Sequence, residues 1–320
     1  MKNATYVGID IGSQSFEAAY QNQKGRWRQR SFSNDVKGFE KLTQFLPPKA
    51  WVISEASGPY FLPLAAWLQQ HDVVVSVVNP LQLRRFAQMK LIRAKTDAVD
   101  ARMAALYGVQ QQPPQWKQPS RLILQMRQLL SHLQLMIKHK TALSNQIHSH
   151  KASGVTTEFV LTRQQAELSQ LSDDIAQTEA ELQRLTQEVY GDLYERLTTI
   201  PGIGPKAAVL LIVLTDGFSR FPSAKALSSY VGLASHPWSS GKSVKGRGKI
   251  SKIGAPQLRA CLYMCAQSSY SCNVGCKAMR ERMLANGKPK LVIRVAVAHK
   301  LLRQAWAIGY KGGVYDPALA

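Results

Sequence analysis

The stretch Thr5-Tyr6-Val7-Gly8-Ile9-Asp10-Ile11-Gly12 determines how the first third of this chain folds. It is a short apolar run, typical of a buried strand, and it carries a single carboxylate near its end. Two more strands are predicted over 15–21 and 26–32, and short turns that contain glycine separate the three. A sheet that begins with hairpins follows from this pattern, with Asp10 on its first strand.

Helices and strands alternate after these hairpins. The pattern predicts a helix over 35–46, a strand over 50–55, a helix over 59–70, a strand over 73–78, and helices over 80–89 and 96–107. Hairpins followed by strand–helix units indicate an α/β fold with a mixed sheet. This order is typical of a ribonuclease H-like domain.

Three further carboxylates accompany Asp10 in this third. Glu55 ends the apolar run Trp51-Val52-Ile53-Ser54-Glu55, and Asp97 and Asp100 stand three residues apart in a helical segment. That spacing is about one helical turn, so both side chains point the same way. Acids at strand ends and on one helix face can converge on a hard divalent cation such as Mg²⁺. Two such ions about 4 Å apart would contact both the attacking and the leaving oxygen of a phosphodiester.

The charge balance favours a polyanionic partner. The 320 residues carry 41 Lys and Arg against 20 Asp and Glu, a formal net charge of +21. The excess is +6 over 1–112 (14 basic, 8 acidic), zero over 113–198 (9 and 9) and +15 over 199–320 (18 and 3). Nucleic acid is the usual partner of so basic a surface. No apolar run approaches the roughly 20 residues that span a bilayer, and the N-terminus has no signal-like core, so we expect no membrane partner and a cytoplasmic location.

The four cysteines lie between Cys261 and Cys276 as two C-x-x-x-C pairs. A zinc site is conceivable, but zinc ligands more often come as pairs on separate knuckles. The helical pattern around the first pair favours reduced, buried, structural cysteines instead.

The middle third is predicted to be a helical arm. Apolar positions step by three and four residues through two long segments, which is typical of helices that bury one side against a partner helix. The two seams are Leu122, Met126, Leu129, Leu133, Met136, Lys140, Leu143 and Ile147, and then Leu168, Leu171, Ile175, Thr178, Leu182, Leu185 and Val189. The break at Lys151-Ala152-Ser153-Gly154 predicts an antiparallel hairpin. Whether the arm is an internal coiled coil or also dimerises two chains stays open, since periodicity does not distinguish self from neighbour.

The last third contains a candidate phosphate-binding turn. Ile200-Pro201-Gly202-Ile203-Gly204-Pro205-Lys206 lies between two apolar helical patterns and resembles a helix-hairpin-helix element. In that element, backbone N–H groups of a glycine-rich hairpin and of the next helix bind a phosphate, which makes Gly202, Gly204 and Lys206 the candidate contacts. A tight helix connection without a ligand is the alternative.

Residues 235–252 are rich in glycine, serine and cations. This composition indicates a flexible phosphate-binding loop, with Lys242, Lys245, Arg247 and Lys249 as the candidate phosphate contacts. Beside metal-binding acids, a serine of this loop has a second interpretation. Its hydroxyl can attack a phosphodiester and form a covalent intermediate, a step that hydrolysis would not need.

Together these segments resemble the insertion-sequence 110 family of DEDD transposases, which is related to the pilin-gene invertase. The resemblance spans almost the whole chain. It rests on Gly8-Ile9-Asp10, the segments 55–60 and 95–102, Ile200-Pro201-Gly202-Ile203-Gly204, Tyr230-Val231-Gly232-Leu233, and the segment 240–246. It implies a RuvC-like α/β domain over 1–112, an antiparallel coiled-coil arm over 113–196, and a mostly α-helical transposase domain with a helix-hairpin-helix over 197–320.

The resemblance also implies roles for individual side chains. Ser240 would be the nucleophile that becomes joined to DNA, with Ser239 and Ser243 as close competitors because a one-residue shift of the alignment changes the assignment. The catalytic ligands of Mg²⁺, or alternatively of Mn²⁺, would be Asp10, Glu55, Asp97 and Asp100.

The same resemblance implies the partners. Family members use a guide, or bridge, RNA that pairs with donor and target double-stranded DNA, so the protein reads mostly shape and backbone. They work as dimers that pair into tetramers, with the RuvC-like domain of one subunit facing the serine loop of another. The expected activity is RNA-guided recombination through a phosphoserine intermediate, at the nucleoid of a prokaryotic cell.

Three alternatives stay open at this point. A RuvC-like junction-resolving nuclease needs the acids but no serine. Gly8-Ile9-Asp10-Ile11-Gly12-Ser13 also resembles the first phosphate loop of actin-like ATPases and sugar kinases, but a second such loop is not evident in the sequence. A non-catalytic, architectural nucleic-acid binder would use the basic surface alone.

Overall fold

Backbone positions are described by a computed structural model for residues 4–92, 96–155, 157–240 and 244–319. Side chains are described for the same residues, except for 236–240, 244–249 and 319. These residues divide between two units, Met1–Gln118 and Pro119–Ala320. No helix in the described part of the chain is long and apolar enough to cross a membrane.

The strands described in the first unit are β1 (Thr5–Ile11), β2 (Ser15–Gln21), β3 (Trp27–Ser33), β4 (Ala50–Glu55) and β5 (Val74–Val78). They form one mixed sheet in the order β3-β2-β1-β4-β5. β1 and β2, and β2 and β3, pair antiparallel, whereas β4 runs parallel to β1 and to β5. This arrangement is compatible with an RNase H-like α/β start.

The helices of this unit are α1 (Val36–Phe45), α2 (Phe61–Gln70), α3 (Pro80–Met89) and α4 (Asp97–Gln111). The predicted strands and helices are confirmed, with ends that differ by a few residues. The largest difference is at α4, which continues four residues beyond the predicted end at 107 before Gln112 takes a left-handed conformation.

α4 lies directly on β1 because the contact is made by residues with a methyl side chain or none. A Cβ placed on Gly8 would lie 1.9 Å from the carbonyl oxygen of Ala101 and 2.3 Å from the nitrogen of Ala105. Further along α4, a Cβ on Gly108 would lie 2.6 Å from the ring of Tyr6. Only glycine at these two positions allows the helix to approach the sheet so closely.

The segment after α4 occupies part of one edge of the sheet. The Trp116 N–H donates to the Val75 carbonyl on β5 at 2.7 Å, and the Ser76 hydroxyl donates to the Pro113 carbonyl at 3.0 Å. At the opposite edge, β3 presents exposed cations such as Arg28. Charged and covered edges both oppose the addition of a further strand.

The second unit is mostly helical. Its described elements are α5 (Arg121–Ala152), α6 (Glu158–Thr198), α7 (Pro205–Thr215), α8 (Ala224–Val231), β6 (Ser235–Ser240), β7 (Val244–Ile250), α9 (Pro256–Cys272), α10 (Val274–Ala285), α11 (Lys290–Lys311) and a 3₁₀ turn (Pro317–Leu319). One hydrophobic core joins the start of α5 and the end of α6 to α7, α8, α9 and α11.

α5 and α6 form the predicted antiparallel hairpin, since Thr186 late in α6 contacts Met126 early in α5, with 3.5 Å between the hydroxyl oxygen and the sulfur. At the start of α5 the predicted seam is confirmed at Met126, which is buried, and is wrong at Leu122. There Ile123 and Leu130 are buried, whereas Leu122 is exposed. The reason is that this end of α5 packs against the core with α7 as well as against α6, so the buried side is not set by one partner alone.

The four cysteines are free thiols. Cys276 is buried, and Cys261 and Cys265 are half-buried. The prediction of burial is wrong for Cys272, which is exposed on the last turn of α9.

Replacing Gly8 with alanine is expected to push α4 away from β1. The added methyl has no room against the Ala101 carbonyl, and overpacking of this kind lowers the free energy of unfolding by about 1–3 kcal/mol. Urea unfolding followed by circular dichroism measures the change.

Gly191→Ala on α6 is the matched control for this prediction. A Cβ at Gly191 meets no atom within 4 Å, so alanine should be neutral or stabilising by up to about 1 kcal/mol. Equal stability of the Gly8 variant and the parent would contradict the close contact.

Candidate active site

The sheet places Asp10 and Glu55 next to each other. Ile9 on β1 pairs in parallel with Ser54 on β4, and the two acids are the next residues along these adjacent strands. Because residues at equivalent positions of paired strands point to the same face, the two carboxylates share one face of the sheet. Both side chains are half-buried.

α4 supplies Asp97 and Asp100 from its first turn. The helix begins there because the Thr96 hydroxyl accepts a hydrogen bond from the Val99 N–H at 3.3 Å, which is the usual N-cap arrangement. Acids in the first turn also interact favourably with the helix dipole. The contact at Gly8 then holds this turn close to the strand that carries Asp10.

The other three carboxylates affect Asp10 electrostatically. The pKa of Asp10 is raised to about 6, first by burial and then by the negative charges of Asp100, Asp97 and Glu55. Since such charge effects weaken with distance, Asp10 lies within electrostatic range of the other three acids.

The candidate ligand atoms of this group suit a hard cation, because all of them are carboxylate oxygens. A divalent ion would also offset the burial and the repulsion that together raise the pKa of Asp10. Among the described side chains, however, no three His, Cys, Asp or Glu are placed so that they could hold one metal ion together. The Ser57 hydroxyl donates to Glu55 Oε1, an interaction that an ion would have to displace or share. The role of the acids as metal ligands stays a prediction.

A fifth carboxylate, Glu17, lies opposite Asp10 on β2 and was missed in the sequence analysis. Its Oε2 accepts from Gln29 Nε2 at 3.2 Å, and Gln29 Oε1 accepts from Arg102 Nε at 3.0 Å. The Arg102 guanidinium also lies 5.7 Å from the centre of the Trp27 ring. This chain links α4 to β3 across the face that carries the acids. The register of the first hairpin is the signal that could have identified Glu17.

The segment predicted to be a flexible loop is instead a two-stranded antiparallel sheet. β6 and β7 pair from Ser235 with Ile250 to Ser240 with Val244. The pairing is irregular between His236 and Trp238, where Pro237 has no N–H for the ladder. The composition of this segment predicted a loop, and that prediction is wrong because pairing between β6 and β7 orders the backbone.

Most of the side chains predicted to act in this segment lie outside the described residues. Lys242 and Ser243 are outside the described residues. Only the backbone is described for the other candidates, which are Ser239, Ser240, Lys245, Arg247 and Lys249. Ser240 is the last residue of β6. The nucleophile and the phosphate contacts remain predictions.

The connection between α6 and α7 contains the other predicted phosphate contacts. Gly202 has a φ of +100°, and a Cβ there would lie 2.7 Å from the Cβ of Ser269, so packing against α9 explains this glycine. Gly204 is the N-cap of α7, and a Cβ there would meet nothing within 4 Å. Lys206 Nζ lies 2.7 Å from Glu179 Oε1 on α6. The N-terminus of α7 is thus accessible beside Gly204, whereas Lys206 already has a partner within the chain.

Two family models match most of the chain. A transposase model of the DEDD, IS110 type matches residues 7–151, which include all four acids. A second model, described as the transposase IS116/IS110/IS902 family, matches residues 194–282, which include β6, β7 and the α6–α7 connection.

Known proteins are similar along nearly the whole length. The chain is 33% identical to the pilin gene-inverting protein of Moraxella lacunata over 98% of both chains. It is 32% identical, over the same shares, to the protein of that name in Moraxella bovis. It is 25% identical to the transposase for insertion sequence element IS1328 of Yersinia enterocolitica, over 99% of this chain and 100% of that one.

Neutralising Asp10 is expected to stabilise the metal-free protein at neutral pH. Folding raises this pKa from 3.8 to about 6, so the folded state disfavours the charged form. Stability is therefore lost as the pH rises from about 4 to about 6, and the full loss persists above that range. In EDTA, Asp10→Asn should be more stable than the parent at pH 8, by on the order of 1 kcal/mol after solvent screening, and equally stable at pH 4.

Denaturant unfolding at the two pH values measures this difference. Glu40→Gln, at an exposed position of α1, is the control and should match the parent at both. An Asp10 variant whose stability relative to the parent did not change with pH would contradict the electrostatic grouping.

Proposed function

The chain belongs to the IS110 family of transposases, enzymes that cut and rejoin DNA, and from this we propose that it recombines DNA under RNA guidance through a phosphoserine intermediate. The observation that supports the proposal most is the placement of Asp10 and Glu55 side by side on β1 and β4, with Asp97 and Asp100 on the first turn of the helix that packs on β1. Four acids held together despite their repulsion are suited to a cation and to a phosphodiester.

We assign the parts of the chain as follows. Residues 1–112 are the RuvC-like domain, which the sheet order supports. Residues 113–196 are the coiled-coil arm, which the α5–α6 hairpin supports. Residues 197–320 are the transposase domain, and the turn between α6 and α7 supports its helix-hairpin-helix.

The acids carry the first part of the mechanism. Asp10, Glu55, Asp97 and Asp100 would hold Mg²⁺ or Mn²⁺, and the bound ion would supply positive charge to orient the scissile phosphate. The chain itself holds the carboxylates in register, two on adjacent strands and two on the first turn of α4. The guanidinium of Arg102, anchored by Gln29, lies on the same helix and supports the binding of a negatively charged backbone nearby.

Ser240 carries the second part. Its hydroxyl oxygen attacks the phosphorus of one DNA strand and loses its proton to solvent, while the bond from phosphorus to the leaving strand oxygen breaks. The hydroxyl of another strand then attacks the phosphoserine, which restores the serine and joins the new strands. Because each step exchanges one phosphoester bond for another, no external energy source is needed. The cations that would hold the phosphates are Lys242, Lys245, Arg247 and Lys249.

The partners follow from charge and from the arm. The excess of +15 over residues 199–320 supports contact with donor and target double-stranded DNA and with a guide RNA. The N-terminus of α7 beside Gly202 and Gly204 would bind a backbone phosphate of the nucleic acid. Lys206 would then leave Glu179 and contact that phosphate. Exposed apolar side chains near the end of the arm, Val155 and Phe159, support pairing of two chains into a dimer and of dimers into a tetramer. At such substrates the protein would lie at the nucleoid.

Ser240→Ala is expected to abolish both the covalent protein–DNA adduct and strand transfer, by about 10³-fold or more, because no other group would replace the nucleophile. The protein is incubated with guide RNA, donor and target DNA, and Mg²⁺, and adducts are followed on denaturing gels. Ser239→Ala and Ser243→Ala are the matched controls and should keep most of the activity. Loss of the adduct in one of these variants alone would move the assignment to that serine.

The second candidate function is a junction-resolving nuclease. It is favoured by the same group of acids, which would suffice for hydrolysis without a serine. Cleaved ends without adducts, together with full activity of Ser240→Ala, would support it over recombination. Unchanged DNA binding with no cleavage in any condition would leave a non-catalytic binder.

The guide RNA gives a separate prediction. Protein purified from cells that carry the whole element is expected to retain one defined RNA, and sequencing of that RNA measures its identity. Ribonuclease treatment should abolish strand transfer, and addition of the same RNA should restore it. Full activity after complete RNA removal would contradict RNA guidance.

A further inference from the structure

Helices α10 and α11, with the start of α8, line an open cavity of about 780 Å³ in the second unit. None of the described residues that line it is acidic. Four alanines and a glycine leave the space between the helices open. The charged side chains of the lining are Arg282, Lys300, Arg303 and Lys311.

We propose that this cavity binds the backbone of a single-stranded nucleic acid. Four like charges around one concave space repel one another unless an anion lies among them. A chain of phosphates is the ligand that would neutralise several of them at once. The proposal rests on the family's action on nucleic acid, but it involves neither Ser240 nor the acids of the first unit.

The size and the aromatic wall favour a single strand over a duplex. A cavity of this volume admits a few groups of one chain between the helices, which suits an unpaired strand. Trp306 lines it and is held rigidly, because its indole N–H donates to the Phe221 carbonyl at 2.9 Å and its ring stacks on Tyr310 at 4.9 Å. A fixed aromatic beside cations is the usual means by which proteins stack unpaired bases.

Gln304 adds a hydrogen-bond donor that lacks a partner. The Asn273 Oδ1 accepts from the Cys276 N–H at 3.1 Å, which fixes the orientation of that amide. Asn273 Nδ2 therefore donates to Gln304 Oε1 at 3.1 Å. The Gln304 NH₂ group has no hydrogen-bond partner among the described residues, although it is buried and its residue lines the cavity. Buried donors are rarely left unpaired, so a ligand acceptor is expected here.

His299 lines the cavity without adding charge. The Ser228 hydroxyl donates to the Ala224 carbonyl at 2.7 Å, so His299 Nε2 must carry a proton and donate to the Ser228 oxygen at 2.8 Å. Burial, and then the charge of Arg303, lower the pKa of His299. The imidazole is therefore neutral at physiological pH, and the lysines and arginines alone supply the positive charge.

The test measures binding of fluorescent twelve-residue oligo(U), oligo(dT) and a twelve-base-pair duplex by anisotropy, at several salt concentrations. EDTA is present throughout, so that failure of strand transfer and failure of this inference remain distinguishable. Lys300→Ala/Arg303→Ala is expected to lower single-strand affinity about tenfold or more. It should also reduce the slope of log affinity against log salt by about 1.4, since each lost phosphate contact contributes about 0.7.

Two further variants separate a cavity from general surface charge. Lys277→Ala/Lys290→Ala removes the same charge from exposed positions of α10 and α11 outside the lining, and it should change affinity about twofold or less. Ala278→Trp fills the cavity from an exposed position without changing charge, so it should fold normally and lose about tenfold in affinity.

Losses shared by oligo(U) and oligo(dT) would support recognition of the common backbone, and a loss confined to one would identify RNA or DNA as the ligand. Equal losses in the two double variants would overturn the proposal. So would unchanged binding by Ala278→Trp, or an equal loss of duplex binding.

Discussion

The contact between Gly8 and the backbone of α4 is the constraint on which the candidate site depends. Asp10 lies two residues after Gly8 on β1, and Asp97 and Asp100 lie one turn before the helix residues that touch Gly8. Main-chain packing therefore positions the carboxylates. Rigid packing of this kind can hold like charges near one another, and the pKa of Asp10 is raised first by burial and then by those charges.

Much of this arrangement was predictable from the sequence because it is encoded locally. Alternation of apolar residues and turn signals identified β1 to β5 and α1 to α4, and the spacing of Asp97 and Asp100 identified a shared helix face. The segment 235–252 was not predictable in the same way. Its glycines, serines and lysines have low strand propensity, so only pairing between β6 and β7 orders it, and that pairing is a tertiary effect. The seam of α5 differed from the prediction for a related reason, since two neighbours determine which side is buried.

The features that the sequence did not reveal depend on long-range register and packing. Glu17 becomes relevant only when β2 pairs with β1, and Arg102 reaches it only through Gln29 on a third strand. The basic cavity likewise requires α10 and α11 to meet, since its cations lie on both helices and are up to 29 residues apart along the chain, from Arg282 to Lys311. The family comparison adds the class of reaction, which no contact within one chain identifies.

The hydrogen bonds between β5 and the segment after α4 have a practical consequence for any study of the first unit alone. A fragment that ended at residue 112, where the composition changes, would lack Trp116. It would therefore lose the hydrogen bond from the backbone N–H of Trp116 to the Val75 carbonyl. It would leave the outer side of β5 open to strands of other molecules, and aggregation would be the expected outcome. A fragment extended through residue 118 keeps this covering segment and should behave as a monomer in dilute solution.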